Sequence, residues 1–222
     1  MEEKMDKFFD KIKRAVNSNI VLEEQGNPIK IIANLEAEFK DLTQEYKEKT
    51  AELKVLDDKL NRELEDAKKE AEIYEKYVEE AQNESNLEDT MLFLEKKAES
   101  NQSLKKESLE SLVQVENKLL QRELDMKNKL VKLNGKVGEL DVELYYFDKI
   151  EDTNFKNKFS DDEEIPTLEV LKAEAEAIRG RIKVYEEQLD TLIAKSKEVK
   201  EKAKITEEIY RTKYNELVSP IA

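Results

Sequence analysis

LEAEFKDLTQEYKEKTAELKVLDDKLNRELEDAKKEAEIYEKYVEEA, residues 35–81, decides the fold. Its apolar positions are Leu35, Phe39, Leu42, Tyr46, Leu53, Leu56, Leu60, Leu64, Ala67, Ala71, Tyr74, Val78 and Ala81. The steps alternate between three and four, with Lys49 in the one missing slot. Such a row is the narrow seam of a coiled coil, and another helix must cover it. Working outward, the same signal returns at Leu87, Met91, Leu94 and Ala98, then at Leu112, Val115, Leu119, Met126, Leu133, Leu140, Leu144 and Phe147. Between the two arms, Asn83-Glu84-Ser85-Asn86 is the expected tip, with Glu88 and Asp89 suited to the first turn of the second arm. The spacing therefore predicts an all-α chain built on a long antiparallel coiled-coil hairpin over 27–155. The 4-4 spacing of Leu56, Leu60 and Leu64 is a local stutter.

Two further stripes flank the hairpin. Before it, Phe8, Phe9, Ile12, Val16 and Ile20 form one face of a short helix, edged by Lys4, Lys7, Lys11, Lys13 and Arg14. The face can pack on the bundle, or it can lie in a membrane interface with its cations on anionic headgroups. Gln25-Gly26-Asn27-Pro28 breaks this 1–26 element, Asn27 suiting an N-cap and Pro28 the first helical turn. After the hairpin, 156–166 reads as a linker. Pro166 or Thr167 then starts a C-terminal helix over 167–218, whose row runs Leu168, Leu171, Ala175, Ile178, Ile182, Tyr185, Leu189, Leu192, Ser196, Val199, Ala203, Thr206, Tyr210, Lys213, Leu217. This tethered helix can pack on its own hairpin or on a neighbour's. The segment Asn101–Ser108 crowds polar residues into the seam, and Gly135 and Gly138 mark either close packing or a joint.

Composition narrows the function. Charged residues make up 41% of 222, with net charge −14, so nucleic acid is not an expected partner. The chain has no Cys and no His, which removes the usual zinc ligands and the Ser-His and Cys-His nucleophiles. No phosphate-binding glycine loop is present, and a thin hairpin offers no apolar cleft. No enzyme, cofactor or metal is expected. With no apolar run of membrane-spanning length and no signal-peptide pattern, a cytoplasmic protein is expected.

The order of these parts resembles the phage shock protein A family, the bacterial branch of the ESCRT-III superfamily. The resemblance rests on the short amphipathic helix, Asn17 and Asn19, Glu23 and Glu24, the Pro28-Ile29-Lys30 start, the run Asn86-Leu87-Glu88-Asp89 to Leu94-Glu95-Lys96-Lys97, and Val137-Gly138-Glu139-Leu140. The family's short fourth helix is not legible in Asp148–Ile165. The resemblance implies a peripheral protein on the inner face of the cell membrane that polymerises into rods or rings and protects or remodels the bilayer under envelope stress. Lys7, Phe8, Phe9, Lys11, Ile12, Lys13, Arg14 and Val16 would then contact lipid. Leu168, Leu171, Ile178, Ile182, Tyr185 and Leu189 would carry the polymer contact between copies, and a regulatory protein could be a further partner. The alternative is a soluble coiled-coil adaptor that binds and regulates a protein partner without lipid.

Overall fold

The structure is a computed structural model that describes residues 26–84, 87–150 and 152–218. The expected N-terminal stripe lies outside the described residues, as do Ser85 and Asn86 of the expected tip. The described residues form α1 (Pro28–Glu84), α2 (Leu87–Ile150), α3 (Thr153–Lys156) and α4 (Leu168–Val218), and no strand is found among them. At about 1.5 Å per residue, α1 alone is roughly 85 Å long. The starts of these helices follow local chemistry. Asn27 Oδ1 accepts the backbone N–H of Ile29 at 3.0 Å, so Asn27 caps α1 with Pro28 in its first turn. Asp152 caps α3 through the N–H of Asn154 at 2.9 Å. Thr167 Oγ1 lies 3.4 Å from the N–H of Val170 at the head of α4.

The chain divides into two compact units. Among described residues one holds 37–132 and 181–218, the other 26–36 and 133–180. In the first unit, α1 pairs with α2 with numbers rising on one helix as they fall on the other: Glu38 with Lys129, Glu45 with Arg122, Glu63 with Ser108 and Glu70 with Lys97. The α4 helix rises alongside α1, through Phe39–Tyr185, Thr50–Ser196, Asn61–Thr206 and Glu63–Tyr210. It runs against α2 through Lys200–Glu123 and Lys105–Asn215. Three helices therefore share one seam. Phe39, Tyr46, Leu53, Leu60 and Ala67, seven apart on α1, are buried, as are Leu112, Val115, Leu119, Met126 and Leu130 on α2 and Leu189, Ala203 and Tyr210 on α4. Each large side chain among them contributes about 1.5–3 kcal/mol by leaving water.

Some positions depart from the row read in the sequence. Leu35, Leu42 and Leu56 are only half-buried, because a seam shared by three helices turns α1 toward a broader front than a two-helix pair needs. Lys213 is exposed; Tyr214 takes the buried place instead, stacked on Tyr210 at 4.7 Å. Beyond the reach of α4 the cover thins: Tyr74 and Val78 are half-buried and Met91 is exposed.

In the second unit the stretch expected as a linker is pinned. Phe155 and Phe159 are buried, with Phe155 against Phe147 at 5.3 Å and Phe159 at 5.6 Å. Glu163 accepts from Asn27 at 3.2 Å and pairs with Lys30, and Lys158 pairs with Glu143. These charge pairs hold the Glu163 carboxyl below the usual carboxylate range, through hydrogen bonds from Lys30 and then Asn27. On the same unit Arg179 of α4 pairs with Asp141 and Lys172 with Asp148 of α2.

Candidate interaction surfaces

The sequence proposes two surfaces. All eight expected lipid contacts, Lys7, Phe8, Phe9, Lys11, Ile12, Lys13, Arg14 and Val16, lie outside the described residues. Of the six expected assembly positions, Leu171, Ile178, Ile182, Tyr185 and Leu189 are buried and Leu168 is half-buried. Their cover comes from this chain's own helices. Tyr185, for example, lies 5.3 Å from the Phe39 ring, with Lys40 Nζ 6.0 Å from its centroid. A contact between copies through these side chains needs α4 to leave the seam first.

What the described surface offers otherwise is shallow. An open groove of about 700 Å³ in the first unit is lined by Glu38, Asp41, Leu42, Glu45, Asp125, Asn128, Lys129, Val131 and Lys132. It mixes carboxylates and ammonium groups without an enclosed apolar wall, so it suits surface contact better than enclosure of a small molecule. Among the described residues no group of three or more His, Cys, Asp or Glu side chains could hold a metal, and no helix is long and apolar enough to cross a membrane.

Inside the first unit, polar groups meet across the seam. Glu63 accepts from Tyr210 Oη at 2.5 Å and from Ser108 Oγ at 3.0 Å, joining all three helices at one carboxylate. Burial, and then Glu63, raise the Tyr210 hydroxyl far above the ordinary tyrosine range. Ser108 belongs to the polar segment Asn101–Ser108, whose residues suggest a loosely packed or partner-facing stretch, yet it is 2% exposed. Fifteen residues further along α2, burial pushes the Glu123 carboxyl up, but hydrogen bonds from Lys127 at 2.9 Å and Lys200 at 3.1 Å outweigh it and hold the group below its ordinary value. Tyr46, 1% exposed, has no hydrogen-bond partner for its hydroxyl in the protein.

Sequence reading missed the outward face of α2. Val113, Leu120, Leu124 and Val131 are exposed, Val131 at 71%. Gly135 and Gly138 are exposed as well, and an added Cβ would meet nothing within 4 Å at either, so neither serves close packing within this chain. The signal was available: these apolar residues sit off the buried row yet recur at steps of seven, four and seven. Comparison with family models, with curated proteins and with solved structures found no match for this chain.

Proposed function

We propose that this chain is a non-enzymatic coiled-coil scaffold of the ESCRT-III-like kind. In this reading α1 and α2 form an antiparallel hairpin, the Phe8–Val16 stripe holds the protein to the inner face of an anionic membrane, and copies assemble into rods or rings that support or remodel the bilayer under stress. The observation that carries the scaffold reading is the division of labour among side chains. The long apolar rows of the first unit cover other helices, and what remains for solvent is a mostly charged surface, single exposed apolar side chains such as those on the outward face of α2, and a shallow groove. A protein so built acts through its surfaces and its length. The lipid step rests on the sequence: four basic residues against one acid between Lys7 and Ile20, in a chain of net charge −14. Deleting residues 1–20 is expected to abolish co-sedimentation with anionic vesicles while leaving helicity intact. Unchanged sedimentation of the truncated protein refutes the membrane part.

A second reading, a soluble adaptor that regulates a protein partner, is favoured by the burial of Leu171, Ile178, Ile182, Tyr185 and Leu189 within the chain itself. An α4 engaged in this way is not a free polymer arm. Electron microscopy of purified protein separates the two: rods or rings favour the first reading, discrete particles with no lipid dependence the second.

A further inference from the structure

The open groove of the first unit has one edge of unpaired negative charge. Its lining carries four carboxylates, Glu38, Asp41, Glu45 and Asp125, against two ammonium groups, Lys129 and Lys132. Glu38 pairs with Lys129, and Arg122 holds both Glu45 and Asp125. Asp41 has no cation among the described residues. Neither has Glu48, seven residues further along α1, which accepts from Gln44 at 2.8 Å. Both carboxylates are exposed. Inside this edge lie half-buried Leu42 and Val131, the latter 71% exposed.

The segment that precedes α1 carries the matching charges. Lys4 and Lys11 are seven apart, as Asp41 and Glu48 are, and they border the apolar stripe of Phe8, Phe9, Ile12 and Val16. Such spacing is common to all heptad rows; sign, reach and edge select this pairing. The signs are opposite at both positions. The break Gln25-Gly26-Asn27-Pro28 sits midway: Lys11 and Asp41 are each 15 residues from Gly26, and Lys4 and Glu48 each 22. A helix folded back there lies antiparallel on α1, which runs unbroken over Pro28–Glu84, and meets both acids in one register. At about 100° per residue, a helix that turns Phe8, Ile12 and Val16 into the groove carries Lys4 and Lys11 on one edge and Lys13 on the other. Run antiparallel to α1, it presents the edge of Lys4 and Lys11 on the side away from α2. Asp41 and Glu48, each three residues past an acid that reaches α2, lie on that side too.

We propose that residues 4–16 fold back at Gly26 and dock along the groove, with Lys11 on Asp41, Lys4 on Glu48 and the apolar stripe over Leu42 and Val131. The tether is short, so the segment meets its own groove at high effective concentration, and two exposed ion pairs with a small apolar cover suffice to hold it. A free partner would need a larger contact. The stripe cannot lie in the groove and in a bilayer at once, so docking and the membrane contact proposed above exclude one another. The docking itself does not depend on the membrane reading.

Carbodiimide joins an amine to a carboxylate where the two already touch, and the full wild-type chain carries both partners. After brief treatment without lipid, mass spectrometry is expected to find Lys11–Asp41 and Lys4–Glu48 as the main links of the segment. In a mixture of isotopically heavy and light protein, those links are expected within one chain. Links scattered over many acids, links between heavy and light chains, or no link at all overturn the proposal. Limited chymotrypsin cleavage after Phe8 and Phe9 gives a second readout. Asp41→Lys with Glu48→Lys is expected to speed it roughly fivefold or more with an unchanged helical melt, since both side chains face solvent. Adding Lys4→Glu and Lys11→Glu is expected to restore the parent rate. Equal rates in the parent and the first variant, or no restoration in the second, also overturn the docking. Neither measurement contains lipid, so failure here leaves the membrane reading to the vesicle experiment, and failure there leaves the docking standing.

Discussion

Within the first unit, α4 is held by two different kinds of surface. From Ile182 to Leu189 it meets rings and aliphatic chains, with Tyr185 against Phe39 and Leu189 buried at 4% exposure. From Ser196 to Tyr214 its buried positions are Ser196, Ala203, Thr206, Tyr210 and Tyr214, which face Thr50, Asn61 and Glu63. The first half gains from area removed from water, and sliding by a turn would cost little in chemistry, because one apolar contact resembles the next. The second half gains less from area but accepts one alignment, since a shifted α4 would part Tyr210 from Glu63, Thr206 from Asn61 and Ser196 from Thr50 in a buried seam. Strength and register are thus supplied by different stretches of the same helix.

The contrast can be broken by substitution. The largest effect is expected in the apolar layers. Leu53→Ala, at a fully buried position, should cost about 2–5 kcal/mol; a loss under 1 kcal/mol in chemical denaturation would mean the seam is loose there. Tyr210→Phe removes the hydroxyl held by Glu63 and should cost about 1.5–3 kcal/mol, as for a hydrogen bond to a charged group. The same variant has a pH signature. Folding raises the tyrosine above its ordinary value near 10, so its contribution is whole below that pH and is lost as pH rises beyond it. Alkaline unfolding should therefore be shallower in Tyr210→Phe than in the parent; identical profiles would remove Tyr210 from the account.

Smaller effects sharpen the picture. Tyr46→Phe deletes a buried hydroxyl that has no partner in the protein, so stability should hold or rise, by up to about 1 kcal/mol. A clear loss would mean that the hydroxyl is satisfied. Burial, and then Glu207, raise the Glu116 carboxyl. Its folded form holds a proton more tightly than the unfolded one, so this group favours the fold at acid pH and opposes it as pH rises. Glu116→Gln should raise the melting temperature slightly at pH 7 and not below pH 4. Smallest of all, Lys213→Ala should fall within about 0.5 kcal/mol, because the residue faces solvent despite its place in the heptad count.

Much of this was legible in the chain. The steps from Phe39 to Ala67 announce a seam because helix geometry maps three-four spacing onto one face whatever covers it. Asn27 announces a helix start because a cap bonds to N–H groups two or three residues away, whereas Asp152, which caps the short α3, was not legible as one. Lys213 and Tyr214 were not legible: at the end of a row, one extra residue of offset is decided by whether a ring finds another ring, and Tyr210 supplies it. The stretch 156–166 was not legible either, since nothing in Phe159 or Glu163 says that Phe155 and Lys30 will be beside them.

The sequence by itself determined the helices, their apolar faces and the absence of His and Cys, because backbone periodicity and side-chain chemistry are local. Only the tertiary structure decided that α4 covers this chain's own seam, and that Val113, Leu120, Leu124 and Val131 on α2 are left exposed. Which apolar face meets which is settled by the sum of many non-local contacts competing at once, and no spacing along the chain records that outcome.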